Sequence, residues 1–328
     1  MEGRMRIGIS SCLLGERVRY DGGHKQDRFL TDVLGPYVEW VPVCPELEVG
    51  MGVPREAVRL VASASAPRMV GIDSGEDWTD RMLAYSKRRV EQIGKLKLSG
   101  YVLKSKSPSC GTERVKVHYP EGIAEKDQKD RRDGKTRESG KGLFAGILIK
   151  GHPLLPVEEE GRLNDPHLRE NFIVRVFAYH RLQKLMDGKF TVGKLVEFHT
   201  AEKFLLLAHS PKHYRKLGPL VASAKKTPVA VLKRKYATFY MECLRVRTTV
   251  KKNVNVLQHI AGYLPEAFEP GGKKDILQVI ENYRLGLLPL VVPVTLLRHS
   301  VRAHSIEDLK NQVYLNPHPG ELMLRNHV

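Results

Sequence analysis

The sequence predicts a two-domain chain: an N-terminal α/β, Rossmann-like domain built on a parallel sheet, then a mainly α-helical domain. Three observations carry this reading. Short apolar runs alternate with helical patterns through the first half, which is the signature of strands joined by crossover helices. From Asn164 onward the pattern turns helical. And 328 residues are long for a single core. The boundary falls where Pro153, Pro156 and the run Glu158-Glu159-Glu160-Gly161 interrupt the pattern, giving domains 1–160 and 161–328.

Taken in order, Arg6-Ile7-Gly8-Ile9-Ser10 reads as a first strand and Trp40-Val41-Pro42-Val43 as a second. Residues 77–98 place Trp78, Met82, Tyr85, Val90 and Ile93 near helical spacing, and Tyr101-Val102-Leu103-Lys104 is a further strand. The run from Gly142 to Ile149 suits a helix or a strand equally. Lys126 to Lys141 is highly charged and glycine-bearing, as an exposed loop or a helix with a mobile end is. In the second half, Asn164 or Asp165 caps a helix with Pro166 at its first position, running to Leu182 or beyond. Further helices are expected over 192–209, 229–247 and 274–285.

Composition narrows the classes. With 41% apolar and 28% charged residues the chain buries substantial cores. No run approaches the ~18 apolar residues of a membrane span, and MEGRMRIGIS has no signal-peptide core, so no membrane partner and a cytoplasmic location are expected. The net charge of +17 is uneven: residues 1–160 hold 27 Lys/Arg against 24 Asp/Glu, and residues 161–328 hold 27 against 13. Such a field expects a polyanionic partner, nucleic acid foremost. Residues 212–252 concentrate it, with twelve Lys/Arg and the single acid Glu242, interleaved with Tyr214, Tyr236 and Tyr240. Lys225, Lys226, Lys233 and Arg234 are the candidate phosphate contacts, and exposed tyrosines are the candidate base platforms, with a place in the helical core as the other reading and the favoured one for Phe239 and Tyr240.

The four cysteines are too dispersed for a disulfide framework. Cys12 follows the first strand, Cys44 the second and Cys110 the later one, each with Pro or Gly within three residues. Ligands gather beyond the carboxyl ends of parallel strands, so three thiols tens of residues apart are expected to converge. Three soft ligands suit zinc, copper(I) or an iron–sulfur cluster. A nucleophilic thiol at Cys110 and ordinary core cysteines are the other readings. For zinc, His24 or His118 is the candidate fourth ligand. Cys243, within the helical pattern YATFYMECLRVRT, is read as core. His199 and His209 flank Glu202 on an expected helix and are read as satisfied buried histidines, because two imidazoles are too few for a metal.

The segments SCLLGERVRYDGGHK, VCPELEVGMGVPR and LKSKSPSCG resemble the three signature segments of the thiouracil desulfidase family. FHTAEKFLLLAHSPKHYRKLG, with the basic region after it, resembles the domain fused to that family in the tRNA 4-thiouridine desulfidases. The resemblance implies a 4Fe–4S cluster held by Cys12, Cys44 and Cys110, and a non-redox exchange of sulfur for oxygen. Its substrate is 4-thiouridine in tRNA or, alternatively, free thiouracil or a thiolated nucleotide. A zinc-stabilised nucleic-acid-binding protein is the alternative from another class.

Neighbouring residues suit that chemistry. Glu46, two positions after Cys44, is the candidate base for the attacking water, with an ion pair to Arg55 or a helix cap as the plainer reading. Ser107 is the candidate for proton relay or pyrimidine contact, with Ser105 and Ser109 beside it, although serines also build such turns. Asp21, His24 and Lys25 line the substrate pocket or build the Gly-Gly turn.

Overall fold

The computed structural model describes residues 4–63, 66–119, 136–264 and 272–327. The chain divides into two compact units, Met1–Asn164 and Asp165–Val328.

In the first unit the strand β1 (Met5–Ser10) carries Ile7 and Ile9 into the core, and β2 (Val38–Val43) pairs parallel to it from Met5 opposite Val38 to Ser10 opposite Val43. A four-residue helix α1 (Pro45–Glu48) follows directly. Two short strands, β3 (Val58–Val61) and β4 (Arg68–Gly71), form an antiparallel pair. Helix α2 (Thr79–Lys95) buries Met82, Tyr85, Val90 and Ile93, four of the five positions its spacing had marked. Strand β5 (Gly100–Leu103) is buried along its length. The strands β6 (Val115–His118) and β7 (Thr136–Gly140) come next, then helix α3 (Leu143–Gly151) and strand β8 (Val157–Glu159). One sheet runs β2-β1-β5-β8 with every pairing parallel.

The glycine in β1 has a packing reason. Gly8 lies opposite Tyr101, and a Cβ there would stand 2.3 Å from the Tyr101 ring. That ring instead fills the space above the strand and meets Phe144 of α3 at 6.1 Å between centroids.

The second sheet, β4-β3-β6-β7, stands in addition to the parallel sheet expected. It is mixed, with β3 parallel to β6 and antiparallel pairs at both edges. The three strands VRLV, RMVG and VKVH are four residues long and carry charge, too short for a period-2 pattern to show. Within the charged stretch read as a loop or a helix, residues 136–140 form β7, while Lys126 to 135 lies outside the described residues. The ambiguous run after Gly142 is helix.

The second unit is helical: α4 (Pro166–Asp187), α5 (Val192–His209), α6 (Pro211–Ala222), α7 (Val229–Arg245), α8 (Val250–Gly262), α9 (Gly272–Arg284), α10 (Val291–Ala303) and the short α11 (Glu307–Lys310). Caps mark the starts. Asp165 accepts from the backbone N–H groups of His167 and Leu168, Thr191 from Lys194, Ser210 from His213 and Thr249 from Lys252. The core contains Glu202, fully buried and held by Arg181 at 2.7 Å. Among the described residues no helix is long and apolar enough to cross a membrane.

Candidate functional site

All three cysteines expected to converge line one cavity of about 340 Å³ at the carboxyl edge of the parallel sheet. Cys12 lies in the 3₁₀ turn Ser11–Leu14 that ends β1, a turn closed by Gly15 at φ +94°. Its carbonyl accepts from the Lys25 N–H at 2.9 Å, which ties the YDGGHK segment to the cysteine turn. Cys44 ends β2 and caps α1, whose first position is Pro45. Cys110 sits in the loop after β5, where its N–H donates to Ser107 Oγ at 3.2 Å.

The Cys110 loop is held from below by a glycine. A Cβ on Gly142 would stand 2.5 Å from the Ser109 carbonyl and 2.8 Å from the Cys110 nitrogen, both backbone atoms that cannot swing aside. Gly142→Ala is therefore expected to lower stability by about 1–3 kcal/mol through overpacking. Denaturant unfolding reads this directly, and an unchanged midpoint would mean that the loop tolerates displacement.

Burial dominates the thiols. It pushes Cys12 up to about 11, with the Cys44 thiolate adding to the effect. It pushes Cys110 up to about 12, against the hydrogen bond from Ser109 and with the Glu46 charge adding. Cys44 is raised for the same first reason. Among the described residues no three His, Cys, Asp or Glu side chains are placed to hold one metal ion.

Beside the thiols, α1 presents Glu46. Its Oε2 accepts from Arg55 Nη2 at 2.5 Å, and its Oε1 accepts from Ser109 Oγ at 2.7 Å and Ser107 Oγ at 3.3 Å. Arg55 also donates to the carbonyls of Val18 and Gly52, so one guanidinium fixes three segments around the carboxylate. Glu46 makes the Arg55 ion pair of the plainer reading, and it also lines the cavity. Ser109 Oγ is also 3.5 Å from Cys110 Sγ, so a hydroxyl chain spans carboxylate and thiol.

Of the remaining candidates, Lys25 and Ser105 line the cavity; Asp21 and His24 do not. Asp21 accepts from Gly23 N–H and pairs with Arg19 at 3.4 Å, so it builds the turn. His24 is exposed, its Nδ1 taken by the Gln26 N–H. His118, the other candidate ligand, is also absent from the cavity wall. Sequence reasoning missed Arg19, Lys104 and Lys106, which line the cavity with Lys25, Arg55 and Glu46; Arg19 pairs with Asp21, Lys104 with Glu160 and Arg55 with Glu46. Nothing in their spacing sets them apart from surface cations.

In the second unit Lys225 and Lys226 stand exposed in a 3₁₀ turn, and Arg234 is exposed on α7. Lys233 is a correction. It is half-buried, donates to the Met186 carbonyl and lies 4.8 Å from the Phe190 ring centroid. Tyr236 is also corrected, because it is fully buried and offers no base platform, whereas Tyr240 is buried as its core reading expects. Cys243 is buried too, donating to the Leu206 carbonyl at 3.4 Å. His209 donates through Nδ1 to the Val246 carbonyl at 2.7 Å, and burial lowers it to about 4. His199 bonds Tyr236 and stacks on Tyr214.

The fold and site together define an α/β domain with a parallel sheet whose carboxyl edge gathers three thiols, one carboxylate and several cations in one cavity. Residues 7–160 match the 2-thiouracil desulfurase family, and the chain belongs to it. Residues 203–319 match a family of unknown function, DUF1722. The chain is 28% identical over 165 residues to the uncharacterized protein YbgA of Escherichia coli (strain K12), covering half of this chain and 98% of that one. It is 30% identical over 111 residues to the uncharacterized protein YbbK of Bacillus subtilis (strain 168), covering 32% of this chain and 73% of that one. A solved structure described as a [4Fe-4S]-dependent thiouracil desulfidase, TudS, aligns with 26% identity and a TM-score of 0.37 over 49% of this chain and 95% of its own.

Proposed function

We propose that the chain removes sulfur from 4-thiouridine in tRNA, leaving uridine, with a 4Fe–4S cluster held by Cys12, Cys44 and Cys110. The observation that carries this reading is the meeting of three distant thiols and Glu46 in one cavity, within a chain of the 2-thiouracil desulfurase family. The donor set suits the cofactor, since iron–sulfur clusters are held by thiolates and these three come from separate loops. When bound, a cluster with one iron free of protein ligands supplies a Lewis acid for the thiocarbonyl sulfur.

The residues of the chain do the rest. Glu46 takes a proton from the water that attacks the ring carbon, while Arg55 fixes one carboxylate oxygen and leaves the other facing the serines. Ser109 and Ser107 hold that second oxygen and offer a path for the proton. In balance, C=S and water become C=O and hydrogen sulfide, with no change in oxidation state.

The cationic wall favours a substrate with phosphates over a neutral base, and the basic second unit extends the argument to RNA. Lys225, Lys226 and Arg234 contact the RNA backbone in this reading. Lys233 serves its own domain. Reversing Lys225, Lys226 and Arg234 to Glu is expected to weaken tRNA binding and to reduce the slope of log affinity against log salt by about 0.7–0.9 per lost contact. Turnover of free thiouracil should be spared. The deciding experiment is anaerobic purification, iron and sulfide analysis, and comparison of 4-thiouridine tRNA with free thiouracil and thiouridine monophosphate. A preference for the free base would make the second reading, a small-molecule desulfidase, the correct one.

A further inference from the structure

A second hollow of about 370 Å³ opens on the catalytic unit, lined in part by Val58, Lys106, Pro108, Arg114, Lys116 and His118. Val58, Lys106 and Pro108 also line the thiol cavity, so the hollow is a groove running out of the cavity mouth. Among the described residues its wall carries three cations and a histidine, and no carboxylate.

The local structure explains how the cations reach this place. Alternation along β6 sends Val115 and Val117 into the core and Lys116 outward. Lys106 and Arg114 bracket the Cys110 loop, and both have left-handed backbones, φ +59° and +55°. Long side chains seldom adopt that conformation, and it is held here by the fold around it. The loop closes tightly at Gly111, where a Cβ would stand 3.0 Å from the Ser107 carbonyl and 2.4 Å from Val115. The cations are thus mounted on a fixed frame.

Among the described residues their charge is also uncompensated. Lys106, Arg114 and Lys116 are exposed, and none has a carboxylate partner among the described residues. Glu113, the adjacent acid, is engaged by Arg162 at 2.7 Å. The positive field registers on His118, which is held below its usual pKa by burial first and then by Arg59 and Lys116.

We propose that this groove is a phosphate track for the RNA strand flanking the nucleotide in the cavity, with Lys106, Arg114 and Lys116 facing successive backbone phosphates. The inference rests on the RNA reading above and assigns part of RNA docking to the catalytic unit itself. A nucleotide drawn out of its stack into a cavity needs its flanking strand held, and cations at the cavity mouth do this without reading sequence. A free base has no flanking phosphates and makes no use of the groove.

The test uses the full chain. Arg114→Glu combined with Lys116→Glu is expected to weaken tRNA binding about tenfold or more and to lower the salt slope by roughly 0.7–0.9 for each lost contact. Turnover of free thiouracil is expected to stay at the wild-type level, since neither residue lines the thiol cavity. Arg114→Gln with Lys116→Gln, which keeps the surface polar, is expected to shift tRNA binding in the same direction by less. Unchanged tRNA affinity and slope in both variants, alongside a wild type that binds tRNA, overturns the groove and leaves the RNA substrate standing. A wild type that neither binds nor desulfurates tRNA, or that binds an acidic polypeptide instead, overturns both.

Discussion

Cys12→Ser, Cys44→Ser and Cys110→Ser are each expected to give colourless protein with no labile sulfide and no desulfuration, while Cys243→Ser keeps wild-type iron. The difference follows from where the four thiols lie. Three line one cavity at the carboxyl edge of the parallel sheet, on turns that end separate strands or loops. The fourth is buried in α7 of the other unit, spending its S–H on backbone carbonyls, a role a serine hydroxyl can also fill. A serine at the cavity is nearly isosteric but offers a hard, protonated oxygen where iron needs a thiolate. The fold itself should survive these changes, which circular dichroism of the apo variants would verify. Stoichiometric zinc in anaerobically purified wild type, with no sulfide, would sink the cluster and restore the zinc alternative.

Much of this arrangement was legible in the sequence because it rests on patterns that short-range chemistry imposes. The strands at 5–10, 38–43 and 100–103 are apolar runs, and helix Val192–His209 has the bounds its spacing predicts. The convergence of Cys12, Cys44 and Cys110 needed only the rule that parallel strands end at one edge, together with Pro and Gly just after each thiol. What was illegible is what depends on partners. Helical spacing marks an inward face but cannot say that Tyr236 is fully buried, or that Lys233 turns to the Met186 carbonyl rather than to solvent. The second sheet escaped notice because four-residue strands hold too few alternations. Arg19, Lys104 and Lys106 read as any surface cations until the loops bring them to the cavity wall.

Glu46→Gln is expected to retain iron and sulfide yet lose desulfuration by ~10²–10⁴-fold, the usual loss when one general base is removed. The carboxylate lies among the thiols but is already engaged, by Arg55 on one oxygen and by Ser109 and Ser107 on the other. Its place is therefore set by hydrogen bonds, and an amide of the same size can keep the Arg55 contact through its carbonyl oxygen. The NH₂ group would then face two hydroxyls that had been donating, and no atom at that position could accept a proton from water. The serines are partly redundant: Ser109 Oγ lies 2.7 Å from the carboxylate and Ser107 Oγ 3.3 Å, so Ser107→Ala should cost less than Glu46→Gln. Turnover at saturating free thiouracil, normalised to iron per chain, separates loss of the base from loss of the cofactor. The same fold-loss on 4-thiouridine tRNA is expected, because proton transfer at the ring carbon does not depend on how the substrate is delivered. Near wild-type turnover in the iron-loaded variant would remove Glu46 from the proton transfer and leave it as the partner that holds Arg55 against Val18 and Gly52.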